Sequence, residues 1–379
     1  MKKLLILTDF FPPAYRAGGP IKSVFLLCRA LSHYCSISLV TRNSDLGGGV
    51  FSNTEINQLV REVNGRFDIN YLSDGASFYM KIIKLLYEKC FDLIYINSFF
   101  SFKFSIFPLL VLTFFGSNSK IVIAPRGELT YGAISVKKVR KILYLYFYYF
   151  VIHSKKTLFH FTSQDEADEF SKIFPGFKPN YFIASNLVER DLDFISPHCS
   201  ENCEVLNLVS FSRISPKKNL HFFILVLKKI DIRVNFDIYG YIDDDDYWEY
   251  CAGLLCDMPE NIIVNFKGAV DRVYSREILH KYDLFILPTL NENFGHSIVE
   301  SLSVGTPVLI SDNTPWRSSA SYAINSVPLL SNSWIEALNF FARLDSKIKY
   351  SASQEALSIF DEIAADSDVL NYIEKLEIV

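Results

Sequence analysis

Two carboxylates, Glu292 and Glu300, stand with seven residues between them at a position where a ligand would be expected. The apolar run Leu284–Leu287 before them reads as a buried strand. Ile298 to Leu302 reads as the start of a helix, and Gly305-Thr306-Pro307-Val308-Leu309-Ile310 as the approach to a further buried strand. Ligands in open parallel sheets collect where strands end and helices begin, because unpaired helix N–H groups point there. A carboxylate accepts hydrogen bonds from two neighbouring hydroxyls, which suits a sugar-rich ligand, and the loop between the two offers main-chain N–H groups to an anion. The bland alternative is a surface loop beside an ordinary amphipathic helix, with both carboxylates solvated.

Three further segments carry chemistry at predicted strand ends. In Phe211-Ser212-Arg213-Ile214-Ser215-Pro216-Lys217-Lys218-Asn219-Leu220, Arg213 offers a planar fork for phosphate oxygens and Lys218 a compact charge. Cations at a helix start oppose its dipole, so the pair costs stability unless an anion is near. In Phe10 to Pro20, Gly18 and Gly19 allow the backbone to approach a phosphate closely, and Pro20 suits a first helical turn. A glycine pair alone is a weak signal, since ordinary turns contain it. Ala124-Pro125-Arg126-Gly127-Glu128-Leu129 follows another strand and reads either as a ligand-facing loop or as a tight turn with an exposed ion pair.

Taken together these residues resemble the family-4 retaining glycosyltransferases of the GT-B fold. The resemblance rests on Glu292 and Glu300, on Phe294-Gly295 after the first and on Gly305-Thr306-Pro307-Val308 after the second. Arg213 with Lys218 resembles the family's diphosphate-binding pair, and Gly18-Gly19 its N-terminal donor loop. Pro125-Arg126-Gly127 resembles a stretch of its bacterial polysaccharide members. The similarity continues through Thr162-Ser163, Asn186 and Thr314-Pro315-Trp316, covering residue 1 to about 316. It then departs: the glycine-containing stretch usual after Thr-Pro-Trp is missing between Arg317 and Pro328, which puts the local fold there in doubt.

The resemblance implies an α/β protein of two Rossmann-like domains whose parallel sheets face a central cleft. It implies a retaining, metal-independent hexosyltransferase that uses a UDP-sugar or GDP-sugar and no cofactor. The acceptor is expected to be a hydroxyl of a lipid-linked glycan, in the synthesis of bacterial surface polysaccharide such as the O-antigen of lipopolysaccharide. Glu292, Arg213 and Lys218 are then catalytic. Glu300 holds the ribose, while Phe294, Gly295, His296 and Ser297 fix sugar and phosphates alongside Gly18 and Gly19. Arg126 and Glu128 lie on the acceptor side. Breaking a bond to a diphosphate requires positive charge or aligned N–H groups at the departing phosphates. No covalent nucleophile or general base emerges from spacing, so a front-face mechanism is expected. His296 is given no proton-transfer role.

Rival readings are a nucleotide-sugar epimerase of the same fold, which turns over donor without acceptor, and a non-catalytic binding module. The run Asp243-Asp244-Asp245-Asp246 invites a metal-site reading, but acids at a helix start favour the dipole, and a solvated helix start is expected there.

Bulk properties agree with a globular enzyme. The 379 residues suit two domains, half of them are hydrophobic and 21% charged, and the net charge of −4 argues against a nucleic-acid binder. Seven cysteines show no metal-type pairing: three residues separate Cys199 from Cys203 and four separate Cys251 from Cys256, with no histidine at zinc-finger spacing. The apolar start of Met1-Lys2-Lys3-Leu4-Leu5-Ile6-Leu7 ends at Thr8-Asp9 and reads as a strand, not a signal peptide. Phe104–Phe115 and Ile142–Ile152 fall short of the roughly 20 residues of a spanning helix, so a cytoplasmic location is expected.

Strands are predicted at Leu4–Thr8, Ser36–Thr41, Phe67–Leu72, Leu93–Asn97, Ile121–Ala124, Leu158–Phe161 and Tyr181–Ala184, with helices between them, including Phe102–Phe115 and Val136–His153. Asn43–Asn57 reads as a loop, and Asn186–Glu204 as an interdomain connection. Five more strands follow, at Val205–Phe211, Val234–Tyr239, Ile262–Phe266, Leu284–Leu287 and Val308–Ile310. The predicted domains are 1–190 (acceptor side) and 191–360 (nucleotide sugar). A terminal segment, 361–379, is expected to pack back on the first domain. The basic, aromatic-rich stretch Val136–Lys156 fits either a helix packed on the first sheet or one resting on an anionic membrane.

Overall fold

A computed structural model describes residues 1–14, 16, 18–52, 56, 66–88, 90–116, 118–129, 144–146, 148–149, 157–189, 196–197, 204–270, 274–367 and 369–378. The chain forms two compact units, Met1–Glu189 with Ser367–Val379, and Arg190–Asp366.

Unit 1 contains β1 (Lys3–Thr8), α1 (Gly19–Leu31), β2 (Ser36–Arg42), β3 (Asp68–Leu72), α2 (Ala76–Glu88), β4 (Leu93–Asn97), α3 (Phe107–Phe115), β5 (Lys120–Ala124), β6 (Thr157–Phe161), α4 (Gln164–Ile173) and β7 (Asn180–Ile183). The seven strands are parallel, in the order β3-β2-β1-β4-β5-β6-β7. Successive side chains of a strand point to opposite faces. Leu4 and Ile6 of β1 therefore enter one core with α1, while Leu5 and Leu7 enter the other with Phe78 and Leu109 of α2 and α3. Both faces are covered, which is why β4 is buried along its whole length. The predicted helix Phe102–Phe115 begins instead with a π-helical turn, Phe102–Ile106, before α3. The change of register falls beside Pro108, which has no N–H to donate.

Unit 2 contains β8 (Val205–Phe211), α5 (Leu220–Leu227), β9 (Arg233–Tyr239), α6 (Asp245–Leu255), β10 (Ile262–Gly268), α7 (Ser275–Leu279), β11 (Leu284–Leu287), α8 (His296–Leu302), β12 (Val308–Ser311), β13 (Ile324–Val327), α9 (Ser331–Arg343) and α10 (Ser346–Asp366). Its sheet is parallel, in the order β10-β9-β8-β11-β12-β13. Strand β13 was not among the predicted strands, because Ile324-Asn325-Ser326-Val327 has too few apolar residues to announce itself. The glycine-poor stretch before it is held by a remote carboxylate. Glu355 of α10 accepts from Ser319 Oγ (2.6 Å), Ser321 N (2.9 Å) and Ala323 N (2.9 Å). The chain then returns to unit 1 as α11 (Val369–Leu376), whose Tyr372, Ile373 and Leu376 join the core that holds Phe182 and Leu187.

In each sheet the strand order reverses at one place, between β1 and β4 and between β8 and β11. Crevices at such switch points, outside the carboxyl ends of the strands, are where open α/β sheets bind ligands.

The predicted helix Val136–His153 and the basic residues Lys137, Lys138, Arg140, Lys141, Lys155 and Lys156 lie largely or wholly outside the described residues, as do Cys199 and Cys203. Within that stretch Tyr148 is buried and stacks on Phe99 with centroids 3.8 Å apart, whereas Tyr146 and Tyr149 are exposed. Among the described residues no helix is long and apolar enough to cross a membrane.

One close approach bears on the site. A Cβ placed on Gly240, just after β9, would fall 1.8 Å from the carbonyl oxygen of Ser212. Overpacking typically costs about 1–3 kcal/mol. Gly240→Ala should therefore lower the thermal midpoint by several degrees and disturb the loop carrying Arg213. An unchanged midpoint in a melting scan would contradict this packing.

Candidate active site

The switch point of unit 2 brings two loops together, one after β8 and one after β11. Leu290 N donates to Lys217 O (2.9 Å) and Thr289 Oγ1 to the same oxygen (3.1 Å), so main chain and side chain pin the loops to each other. Across that seam Lys218 Nζ lies 2.5 Å from Glu292 Oε2, with both side chains mostly buried. Glu292 N donates to Asn313 O (3.1 Å), which fixes the main chain that carries the carboxylate. Burial alone would raise the Glu292 carboxyl. The charges of Lys218 and Lys217, with hydrogen bonds from Lys218 and the Asn293 N–H, outweigh it and hold the group below the usual carboxylate range. Glu292 is thus an anion at neutral pH.

Lys217, to which the sequence pointed only as a neighbour, belongs to this cluster. Its ammonium is pushed below the usual lysine range by desolvation and by Lys218 and Arg213, against the pull of Glu292. Arg213 does not reach Glu292 in this arrangement. Its Nη1 pairs with Asp243 Oδ2 at 3.0 Å. The aspartate run is a helix start, as expected, but its members differ: Asp244 caps α6 by accepting from Tyr247 N (2.9 Å), while Asp243 serves Arg213. The bridge between Ile214 and Ile242 sets that contact. Among the described residues no group of three or more His, Cys, Asp or Glu side chains is gathered as a metal site.

Gly295 precedes α8 at φ 81, and a Cβ there would meet Ile298 Cδ1 at 2.7 Å, so glycine is required for the turn from loop to helix. His296, Ser297 and Glu300 all lie buried on α8. Phe294 meets the His296 ring edge-on at 4.9 Å, and its carbonyl accepts from Trp316 Nε1 (2.6 Å). Trp316 therefore braces the glutamate loop, and the segment that follows it is the one held by Glu355. Neither brace is visible as a motif, since each joins positions far apart in the chain.

Unit 1 holds the remaining candidates. Gly18 precedes α1 at φ 78, and Gly19 and Pro20 open the helix. The loop is anchored by Arg16 N, which donates to both carboxylate oxygens of Asp45 (3.2 and 3.1 Å). Arg126 and Glu128 do not form the exposed ion pair that the sequence allowed. Glu128 accepts from Ser98 Oγ (3.0 Å), Phe99 N (2.8 Å) and Phe100 N (2.7 Å), and so fixes the turn after β4. Burial raises its carboxyl, partly countered by those N–H groups. Arg126 reaches inward to Asn97 Oδ1 (2.8 Å), Tyr95 OH (2.9 Å) and Asn186 Oδ1. Of these partners only Asn186 carried a signal in the sequence, through the resemblance.

Comparison with known proteins agrees with this architecture. Residues 202–322 match the family model of glycosyl transferases group 1. No curated protein sequence matches the chain. Among solved structures the chain is similar to Anabaena HepE in complex with UDP and glucose, at 16% identity over 100% of both chains and a TM-score of 0.74. It is also similar to sucrose-phosphate synthase from Thermosynechococcus elongatus, at 15% identity over 96% of this chain and 97% of that one, TM-score 0.68. A third is the lipopolysaccharide outer core galactosyltransferase WaaB in its apo form, at 12% identity over 97% and 99%, TM-score 0.62. The fold is GT-B, as the sequence resemblance implied, and the matched segment spans β8 to the loop before β13.

Proposed function

We propose that the chain is a retaining, metal-independent glycosyltransferase. It moves a sugar from a UDP- or GDP-sugar to a hydroxyl of a lipid-linked glycan in bacterial surface polysaccharide synthesis. The observation that carries this reading is the Lys218–Glu292 pair, which joins the loops of β8 and β11 at the switch point inside the family-matched segment. HepE with UDP and glucose supports a UDP donor, and WaaB supports the polysaccharide setting.

In this reading Arg213 and Lys218 grip the diphosphate, and the main chain at Phe294 to Ser297, with Gly18 and Gly19, fixes sugar and phosphates. Glu292 faces the sugar as an anion, where positive charge develops on the ring as the bond to phosphate lengthens. The acceptor hydroxyl attacks that carbon from the same face. Its proton passes to the departing phosphate oxygen, so no separate base is required. Arg126 faces the acceptor, and Glu128 shapes that side through the turn after β4. The enzyme works in the cytoplasm, at the inner face of the membrane where a lipid-linked acceptor lies. The exposed Tyr146 and Tyr149 are compatible with that setting.

Glu300 accepts hydrogen bonds from the ribose hydroxyls. Glu300→Ala should weaken UDP binding by about tenfold, the loss of one charge-assisted hydrogen bond. Calorimetry that shows unchanged affinity in a folded variant contradicts this role.

A further inference from the structure

We propose that the acceptor side of unit 1 recognises an anionic group, a phosphate or a carboxylate, through Arg126. The inference rests on the transferase reading only in calling that ligand the acceptor.

Arg126 follows β5 and reaches to the end of β4, at the switch point of unit 1. Its hydrogen-bond partners are uncharged: Asn97, Asn186, Tyr95 and Tyr372. Among the described residues no carboxylate forms an ion pair with it. The two nearby acids are committed elsewhere. Glu128 is spent on the turn after β4, and Glu166 accepts from Gly127 N (2.5 Å), Thr162 N (2.7 Å) and Thr162 Oγ1 (2.8 Å). Desolvation opposes the Arg126 charge, and Tyr95, Tyr372 and Glu166 outweigh it. Yet no carboxylate is paired with the fork, which leaves it able to take an oxyanion in a charge-assisted bond.

The surrounding structure holds the cation in place at some expense. Arg126 sits at φ 54, a left-handed conformation that a non-glycine residue adopts only when its surroundings impose it. Behind it, Tyr95 OH is 2.6 Å from His160 Nδ1, and His160 Nε2 is 2.9 Å from Ala184 O. Because Arg126 can only donate, Tyr95 accepts from it and gives its own proton to Nδ1. The Nε2–H of a neutral His160 then donates to Ala184. Tyr372 of α11 completes the set by donating to Ser185 O (2.8 Å). A chain of neutral groups orients the guanidinium, and Glu166 acts on it through space without pairing with it. That arrangement suits an anion site better than a structural ion pair.

The test is calorimetry on the full chain saturated with UDP. The probes are glucose, glucuronate, glucose 6-phosphate and farnesyl diphosphate. The first three differ in the group at C6; the last stands for a lipid carrier. At least one anion should bind at least tenfold more tightly than glucose, and Arg126→Gln should erase that preference while keeping UDP affinity. Binding of glucuronate, glucose 6-phosphate or farnesyl diphosphate identifies a uronate, a sugar phosphate or a lipid diphosphate as the group read. Should Arg126→Gln fail to fold, Arg126→Lys, which keeps the charge, should retain part of the preference. No anion binding better than glucose, or equal binding by wild type and variant, overturns the proposal. Failure to bind UDP would count against the transferase reading instead. The anion titration would then be repeated without nucleotide on Arg213→Ala/Lys218→Ala, so that Arg126 is still tested.

Discussion

The double variant Arg213→Ala/Lys218→Ala should be nearly inactive with donor and acceptor present, while each single variant loses about a hundredfold or more in rate. Removing one group that stabilises a developing anion typically has an effect of that size. Lys218 carries a second consequence, because it is also the nearest partner of Glu292. Burial is the largest influence on the Glu292 carboxyl and acts upward; Lys218 leads the opposing charges. Without Lys218 that carboxyl shifts up, so the acid limb of the rate profile should move to higher pH in Lys218→Ala. It should stay in place in Arg213→Ala, whose partner is Asp243. A pH–rate series separates the two, and identical acid limbs would contradict the structural assignment.

Glu292→Gln should fold, bind UDP as well as the parent does, and lose turnover by about a hundredfold or more. The glutamine keeps the shape but not the charge proposed to face the sugar, whereas the nucleotide is proposed to be held by Arg213, Lys218 and Glu300. An interaction made mainly in the transition state appears in kcat and leaves nucleotide affinity alone. The measurement is kcat beside a UDP titration. Near-normal turnover would remove Glu292 from the mechanism.

The central strands were legible because they are buried on both faces and read as continuous apolar runs, as in Leu93–Asn97 and Leu284–Leu287. Lys218 and Glu292 were each legible as residues at strand ends, but their pairing was not: it follows from β8 and β11 becoming neighbours at the switch point. Contacts made across long separations were not legible. Strand β13 is short and half polar, and its entry loop depends on Glu355, more than thirty residues on. Asp243 stands in a run that suits a helix start. Only the pairing of Ile242 with Ile214 shows that it meets Arg213. Tyr95 and His160 lie inside apolar strands, where a polar ring looks like an ordinary core residue until the Arg126 network is seen.

The most direct test follows the product. The chain is incubated with UDP-glucose or another nucleotide sugar and a glycan acceptor in excess chelator, and the new linkage is read by proton NMR coupling at the anomeric carbon. Transfer should survive the chelator and retain the donor's anomeric configuration. An inverted linkage, or transfer abolished by chelator and restored by magnesium or manganese, would contradict the proposed mechanism.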